Sequence, residues 1–211
     1  MRFQDRKDAG EQLAHKLDEY RGLDVVVFAL PRGGVVVGYE IAQYLGAPLD
    51  LIIVRKVGHP QNPDYAICAV ADDGHVLCNE REINSIDRHW LEHRLNNEKT
   101  EAMRWRQLYL NNRQHPAVED KIVVLVDDGI STGLTFLLAV EELKHYQPKV
   151  IIAAVPIASE EVSDAIRSEA DELVVLNIPF DYEGQIGAYY DEFYSVTDDE
   201  VVRLMQRAPQ K

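Results

Sequence analysis

Runs of consecutive apolar residues alternate along this chain with longer stretches in which apolar residues recur every third or fourth position. Val25 to Leu30 is uninterrupted, Val35 to Leu45 is spaced like a helix, and Leu49 to Val54 is apolar again apart from Asp50. The rhythm resumes at Ile122 to Val126, with Leu134, Leu137, Leu138, Leu143 and Tyr146 following at helical spacing. Val150 to Val155, Glu160 to Glu169 and Leu173 to Leu176 then read as strand, helix and strand. Several apolar residues in a row fit a strand covered on both faces, because each side of the pleat must meet a packed layer. Strands that alternate with helices are joined by right-handed crossovers and so run parallel. The pattern predicts an α/β fold with an open, mainly parallel five-stranded sheet flanked by helices.

Three segments fall outside this rhythm. From 57 to 79 the chain begins with Gly58, His59, Pro60, Asn62 and Pro63 and then suits a hairpin. It reads as a lid that folds over a ligand and excludes water. From 80 to 112, Ile83, Ile86, Trp90, Leu91, Leu95, Ala102, Trp105 and Tyr109 lie close to a helical stripe, which predicts a helical insertion, either one long helix or a pair. The acidic and aromatic segment from 178 to 211 contains Thr197-Asp-Asp-Glu200, a capping box that starts a final helix. A chain of 211 residues suits a single domain, 1–211, with these additions.

The net charge of −14 is unevenly placed: between Ser159 and Glu200 thirteen acidic residues face the single Arg167. Such a surface repels phosphate backbones and argues against a nucleic-acid partner. No apolar run approaches the roughly 18 residues of a membrane span, and the polar start Met1-Arg-Phe-Gln-Asp-Arg-Lys is unlike a signal peptide. The expected location is the cytoplasm, with no membrane partner. In that reducing compartment the two cysteines, Cys68 and Cys78, are expected as packed thiols and not as a disulfide.

Candidate chemistry concentrates where the run Ile122 to Val126 ends in Asp127-Asp128-Gly-Ile-Ser-Thr-Gly-Leu-Thr135. The carboxyl edge of a parallel sheet is where ligands bind, and small residues opening a helix there free backbone N–H groups for an anion. Adjacent carboxylates repel unless cations or hydroxyls take up their lone pairs. A ligand with both a phosphate and vicinal hydroxyls, such as a ribose phosphate, meets both halves of this loop. In an acidic protein such an anion needs local cations: Arg32, Arg55 and Lys56, with a divalent metal as the remainder. Receiver domains also pair acids at a strand end, but they need a later strand ending in Asp, and Leu173 to Leu176 ends in Asn177. Neither a Walker A nor a dinucleotide-binding glycine pattern occurs. His89-Trp-Leu-Glu-His93 matches the inverted zinc peptidase pattern, although a solvated helix face explains the same residues. Asp-Asp-Gly read as a mere turn leaves the basic loops unexplained.

The loop Asp127 to Thr135 resembles the phosphoribosyl-pyrophosphate (PRPP) loop of the type I phosphoribosyltransferases. Ala29-Leu-Pro-Arg-Gly-Gly34 resembles that family's pyrophosphate loop, and Ile53-Val-Arg-Lys56 the basic end of its next strand. With Asn62-Pro-Asp-Tyr-Ala-Ile67, the chain is most similar to the functionally unassigned bacterial and archaeal members, from about Phe3 to Met205. The resemblance implies a sheet order of 2-1-3-4-5, which sets both anion loops beside one crevice. It implies transfer of 5-phosphoribosyl from PRPP to a nitrogenous acceptor, with Mg²⁺ held through PRPP and water and with no metal ligand assigned on the protein. Asp127 and Asp128 would face the ribose hydroxyls, and Gly129, Ile130, Ser131, Thr132, Gly133 and Thr135 would wrap the 5′-phosphate. Arg32, Gly33, Gly34, Arg55 and Lys56 would meet the pyrophosphate, with Lys56 acting on the leaving group. Phe180 and Tyr182 are the candidates for stacking on the acceptor, and a homodimer is implied. The alternative is a PRPP-sensing protein that binds without turnover.

Overall fold

A computed structural model describes residues 1–111 and 115–209; Asn112 and the last two residues of the segments expected above lie outside the described residues. Along the chain come α1 (Arg6–Lys16), β1 (Val25–Ala29), α2 (Gly33–Leu45), β2 (Leu49–Leu51), β3 (Val54–His59), β4 (Asn62–Ala71) and β5 (Val76–Cys78). They are followed by α3 (Glu80–Ile83), α4 (Arg88–Leu110), β6 (Ile122–Val126), α5 (Leu134–His145), β7 (Val150–Ile157), α6 (Glu160–Glu169), β8 (Glu172–Asn177) and α7 (Asp198–Arg207). Five strands form one wholly parallel sheet in the order β2-β1-β6-β7-β8, so its members stand in the expected order 2-1-3-4-5.

The uninterrupted apolar runs serve two cores at once. Val25, Val27 and Ala29 of β1 join Val124, Val126, Ile152 and Ala154 on the face covered by α1, α2, α4 and α7. Val26 and Phe28 join Val123, Leu125, Ile151, Ala153 and Val155 on the face covered by α5 and α6. Successive side chains of a strand point to opposite faces, so a strand with a packed layer on each side has no position left for a polar residue.

Two expectations need correction. The run Leu49 to Val54 is not one strand: β2 stops at Leu51, buried Ile52 and Ile53 carry the chain across, and β3 starts a separate antiparallel sheet in the order β3-β4-β5. Burial is continuous through the change of sheet, so hydrophobicity alone does not mark it. The segment from 57 to 79, expected as a lid or hairpin, lies largely in this sheet, with β4 and β5 paired antiparallel, and the sheet reaches back to Val54. Cys68 and Cys78 are not packed thiols; they sit directly opposite one another on β4 and β5, with Cα atoms 4.0 Å apart, and form a disulfide. Register across the two strands brings them together, and sequence spacing does not show it.

The apolar periodicity does not predict α1. Its buried side includes Ala9, Gly10, Leu13 and Ala14, and three of these are too small to give a strong apolar stripe. Asp5 caps it by accepting from the Asp8 N–H. The insertion is a short helix followed by the long α4, which Asp87 caps by accepting from Trp90 N–H. The capping box at Thr197 is present at the start of α7. Between β8 and α7 the chain wraps the N-terminus, with Asp191 N–H bonded to Phe3 carbonyl and Glu192 N–H to Gln4 carbonyl. Among the described residues no helix is long and apolar enough to cross a membrane.

Candidate active site

The loops after β1 and β6 lie side by side because those strands are neighbours, with Ala29 opposite Val126. Leu30 N–H continues the pairing by bonding Val126 carbonyl at 2.9 Å. The peptide bond between Pro31 and Arg32 is cis, and α2 begins at once with Gly33. A Cβ on Gly33 would fall 2.0 Å from Asp128 Oδ2, and one on Gly34 would fall 2.9 Å from Asp127 Cα. These two glycines let the acid pair pass directly over the start of α2. That differs from a backbone cradle of unusual conformation, since neither has positive φ. Gly133 does need glycine's freedom, since it holds φ +81° immediately before α5. Neither α2 nor α5 has a side chain capping its first turn, so both direct backbone N–H groups into the same space.

That space is a cleft of about 800 Å³, within the usual range for small-molecule sites. Arg32, Gly33, Arg55, Lys56, Asp127, Asp128, Gly129, Ile130, Ser131, Thr132, Gly133 and Thr135 all line it. The structure thus brings together every expected PRPP-contacting residue except Gly34, which lies behind the acid pair. It does not bring in Phe180 or Tyr182. Phe180 is fully exposed, while Tyr182 stacks on Tyr189 and donates to Ile130 carbonyl at 3.4 Å from outside the lining.

The acid pair is held by residues that the sequence pattern does not single out. Arg6, 5% exposed, donates from Nε to Asp128 Oδ2 at 2.6 Å and from Nη1 to Tyr194 carbonyl at 2.7 Å. Its guanidinium lies 3.8 Å from the centroid of the Phe193 ring. Tyr190 hydroxyl donates to Asp128 carbonyl at 2.6 Å. The C-terminal aromatics thus clasp the N-terminal arginine. Asp127 accepts from Asp128 N–H at 2.8 Å. Although Asp127 keeps a solvent-facing edge, burial first and the Asp128 charge second push its carboxyl well above the usual carboxylate range; Asp128 N–H and Arg6 pull the other way.

The basic strand end is more engaged than a solvated pair. Arg55 donates from Nε and Nη2 to Glu98 Oε2 at 3.0 and 2.7 Å, and Arg94 donates to Glu98 Oε1 at 3.1 Å. Trp105 lies against both basic loops, with Arg55 at 4.2 Å and Arg32 at 5.7 Å from its ring centroid. Arg32 also reaches Asp198 at 3.5 Å, and Lys56 is exposed on the cleft wall. Trp90, Arg94, Glu98 and Trp105 all come from α4, so the insertion builds one side of the cleft. The only sequence signal for this is the apolar stripe, in which the two tryptophans read as core. The zinc peptidase pattern stays a solvated face: His89, Glu92 and His93 are exposed, Glu92 pairs with Arg88, and His93 faces Asn97.

Comparison with known proteins agrees with this geometry. The profile of the phosphoribosyl transferase domain matches residues 3–192. Two Mycobacterium tuberculosis proteins named as candidate phosphoribosyl transferases, one from each of two strains, are 36% identical over 208 residues. This chain spans 47% of their length. The crystal structure of TT1426 from Thermus thermophilus superposes with a TM-score of 0.79 at 37% identity, covering 99% of both chains. The AQ2163 protein of Aquifex aeolicus, at 14% identity and a TM-score of 0.53 over 85% of this chain and 78% of its own, shares the fold. With the parallel sheet, the crossing of the two loops and the domain match in agreement, the chain belongs to the phosphoribosyl transferase family.

Proposed function

We propose that the cleft binds PRPP with Mg²⁺ and that the protein transfers its 5-phosphoribosyl group to a nitrogenous acceptor, releasing pyrophosphate. One observation carries this reading: an acid pair, an uncapped loop at the start of α5 and cations from two further loops line a single cleft. The loop from Gly129 to Thr135 takes the 5′-phosphate on backbone N–H groups and the hydroxyls of Ser131, Thr132 and Thr135. Each acid has one oxygen occupied, by Arg6 or by Asp128 N–H, and the other accepts from a ribose hydroxyl. Arg32 and Lys56 meet the pyrophosphate, and Arg55, fixed by Glu98, supports Trp105 behind them.

At C1 the bond to the pyrophosphate oxygen breaks as the acceptor nitrogen bonds to the ring, through an oxocarbenium-like state. The pyrophosphate leaves with both electrons of the broken bond, and the proton of the acceptor nitrogen passes to water or to the departing pyrophosphate. Among the described residues no set of three protein metal ligands gathers at this cleft. Two carboxylates, one already tied to Arg6, fit a hard cation that takes most of its oxygens from the substrate and water. Mg²⁺ bound there would neutralise charge on the leaving pyrophosphate. Trp90, which lines the cleft, is the candidate surface for a planar acceptor in place of Phe180 and Tyr182.

The test combines binding with turnover. PRPP plus Mg²⁺ raises the melting temperature of the wild-type chain, because a ligand bound only by the folded state stabilises it; the paired change Asp127→Asn with Asp128→Asn removes most of that shift. Lys56→Ala weakens PRPP and pyrophosphate but spares ribose-5-phosphate, and lowers turnover about 10–1000-fold, the range for losing one electrostatic contact. Equal losses for all three ligands would remove Lys56 from the leaving group. Pyrophosphate release with any of a panel of purines, pyrimidines and amines identifies the acceptor, whereas PRPP binding without release across the panel assigns the chain to sensing.

A further inference from the structure

A second group of ligand-type side chains lies outside this cleft. His75 stands in the turn between β4 and β5, and Glu142 and His145, three apart on α5, share the helix face next to that turn. One ligand atom from each lies within 4.8 Å of the other two. His75 Nδ1 is 2.5 Å from Glu142 Oε1 and 3.4 Å from Asp73 Oδ2, and the His75 and His145 ring centroids are 5.3 Å apart. Glu142 is 8% exposed, a degree of burial that glutamate seldom adopts without a partner, while both histidines face solvent. The three side chains border an open depression of about 400 Å³, and none of them lines the cleft described above. A Glu142–His75 hydrogen bond would be complete by itself. His145, one helical turn beyond Glu142, turns the pair into a ligand set with an open side.

We infer that His75, Glu142 and His145 bind one divalent transition-metal ion of borderline softness, of the class of Zn²⁺ and Co²⁺, with water completing its shell. Two imidazoles and one carboxylate suit such an ion, whereas Mg²⁺ takes oxygen ligands. Ligand atoms sharing such an ion lie about 2.0–2.2 Å from it, so the exposed imidazoles close in by rotation and the Glu142–His75 hydrogen bond opens around the metal. The ion would pin the β4–β5 turn to α5. The sheet bearing Arg55 and Lys56 is thereby tied to the helix that begins at the Gly133 loop.

The experiment uses the untagged full chain, stripped of metal with a chelator and then titrated with Co²⁺ by visible absorption and with Zn²⁺ by calorimetry. The expected result is one saturable site per chain, at which Zn²⁺ displaces Co²⁺ and raises the melting temperature. His145→Ala removes an exposed side chain and should leave the metal-free melting temperature near that of wild type, whereas His75→Ala also takes the hydrogen bond from buried Glu142 and should lower it. Each should weaken Zn²⁺ by at least about tenfold, the least that disturbing a metal site's surroundings costs. Asp127→Asn with Asp128→Asn should bind Zn²⁺ as the wild type does. Absence of a saturable site, indifference to His145→Ala, or loss of binding in the acid-pair variant would each overturn the inference.

Discussion

At Asp127 burial and function oppose each other. Because its carboxyl is pushed well above the usual carboxylate range, the folded protein holds a proton that the unfolded chain has already released. Stability therefore falls as pH rises from the ordinary carboxylate range through the raised value, and the cost is complete above it. Asp127→Asn keeps an oxygen for Asp128 N–H and removes that cost. The ligand-free variant should melt higher than wild type at about pH 8, by roughly 2–4 °C for each kcal/mol recovered in a chain of this size, and the difference should vanish near pH 4, close to the unperturbed carboxylate value. A variant no more stable at pH 8 would show that the buried charge carries no such cost. Since hydrogen bonds from ribose hydroxyls favour the charged carboxylate, PRPP affinity of the wild type should strengthen with pH across the same window.

Among the elements, those with one packing partner on each side were legible and those placed by distant contacts were not. β1, β6 and β7 declare themselves because burial on both faces leaves no polar position, and the α5 loop because its residue types suit an anion. α1 stayed hidden because Ala9, Gly10 and Ala14 pack closely without being strongly apolar. Arg6 stayed hidden with it, since only the fold carries a guanidinium across 122 positions to Asp128. The sheet change at Ile52 and the pairing of Cys68 with Cys78 likewise depend on register. Two measurements test this scale. Gly133→Val forces a branched side chain onto φ +81° and should weaken ribose-5-phosphate and PRPP alike; weakening of PRPP alone would place the 5′-phosphate elsewhere. Thiol titration of the denatured, unreduced protein should find no free sulfhydryl. Reduction should lower stability by about 2–3 kcal/mol, the chain-entropy value for a loop of this length; two titratable thiols would restore the original expectation.

Over the whole molecule, an acidic chain gathers cations around one cleft. Arg6, Arg32, Arg55 and Arg94 are each held there by a carboxylate, Asp128, Asp198 or Glu98. On the proposed reading, ligand phosphates meet arginines that are already paired with carboxylates and held in place before binding. The fold explains the reach of each loop, and on the proposed reading α4, which lines one side of the cleft, is where acceptor specificity would be set.

The clasp on Arg6 also fixes when the site comes into being. Its guanidinium is held by Tyr194 carbonyl and the Phe193 ring, and Tyr190 secures Asp128 from the same segment. In chain order every strand of the parallel sheet precedes these residues, so a chain that stops after β8 has all five strands but lacks the counter-charge arrangement around its two acids. On the proposed reading, competence for PRPP therefore depends on residues that follow the last strand. A chain ending after Asn177, compared with one ending after Ala208, should show the sheet's circular dichroism but no PRPP-dependent thermal shift. Equal shifts in the two would mean that the acids are set without the clasp.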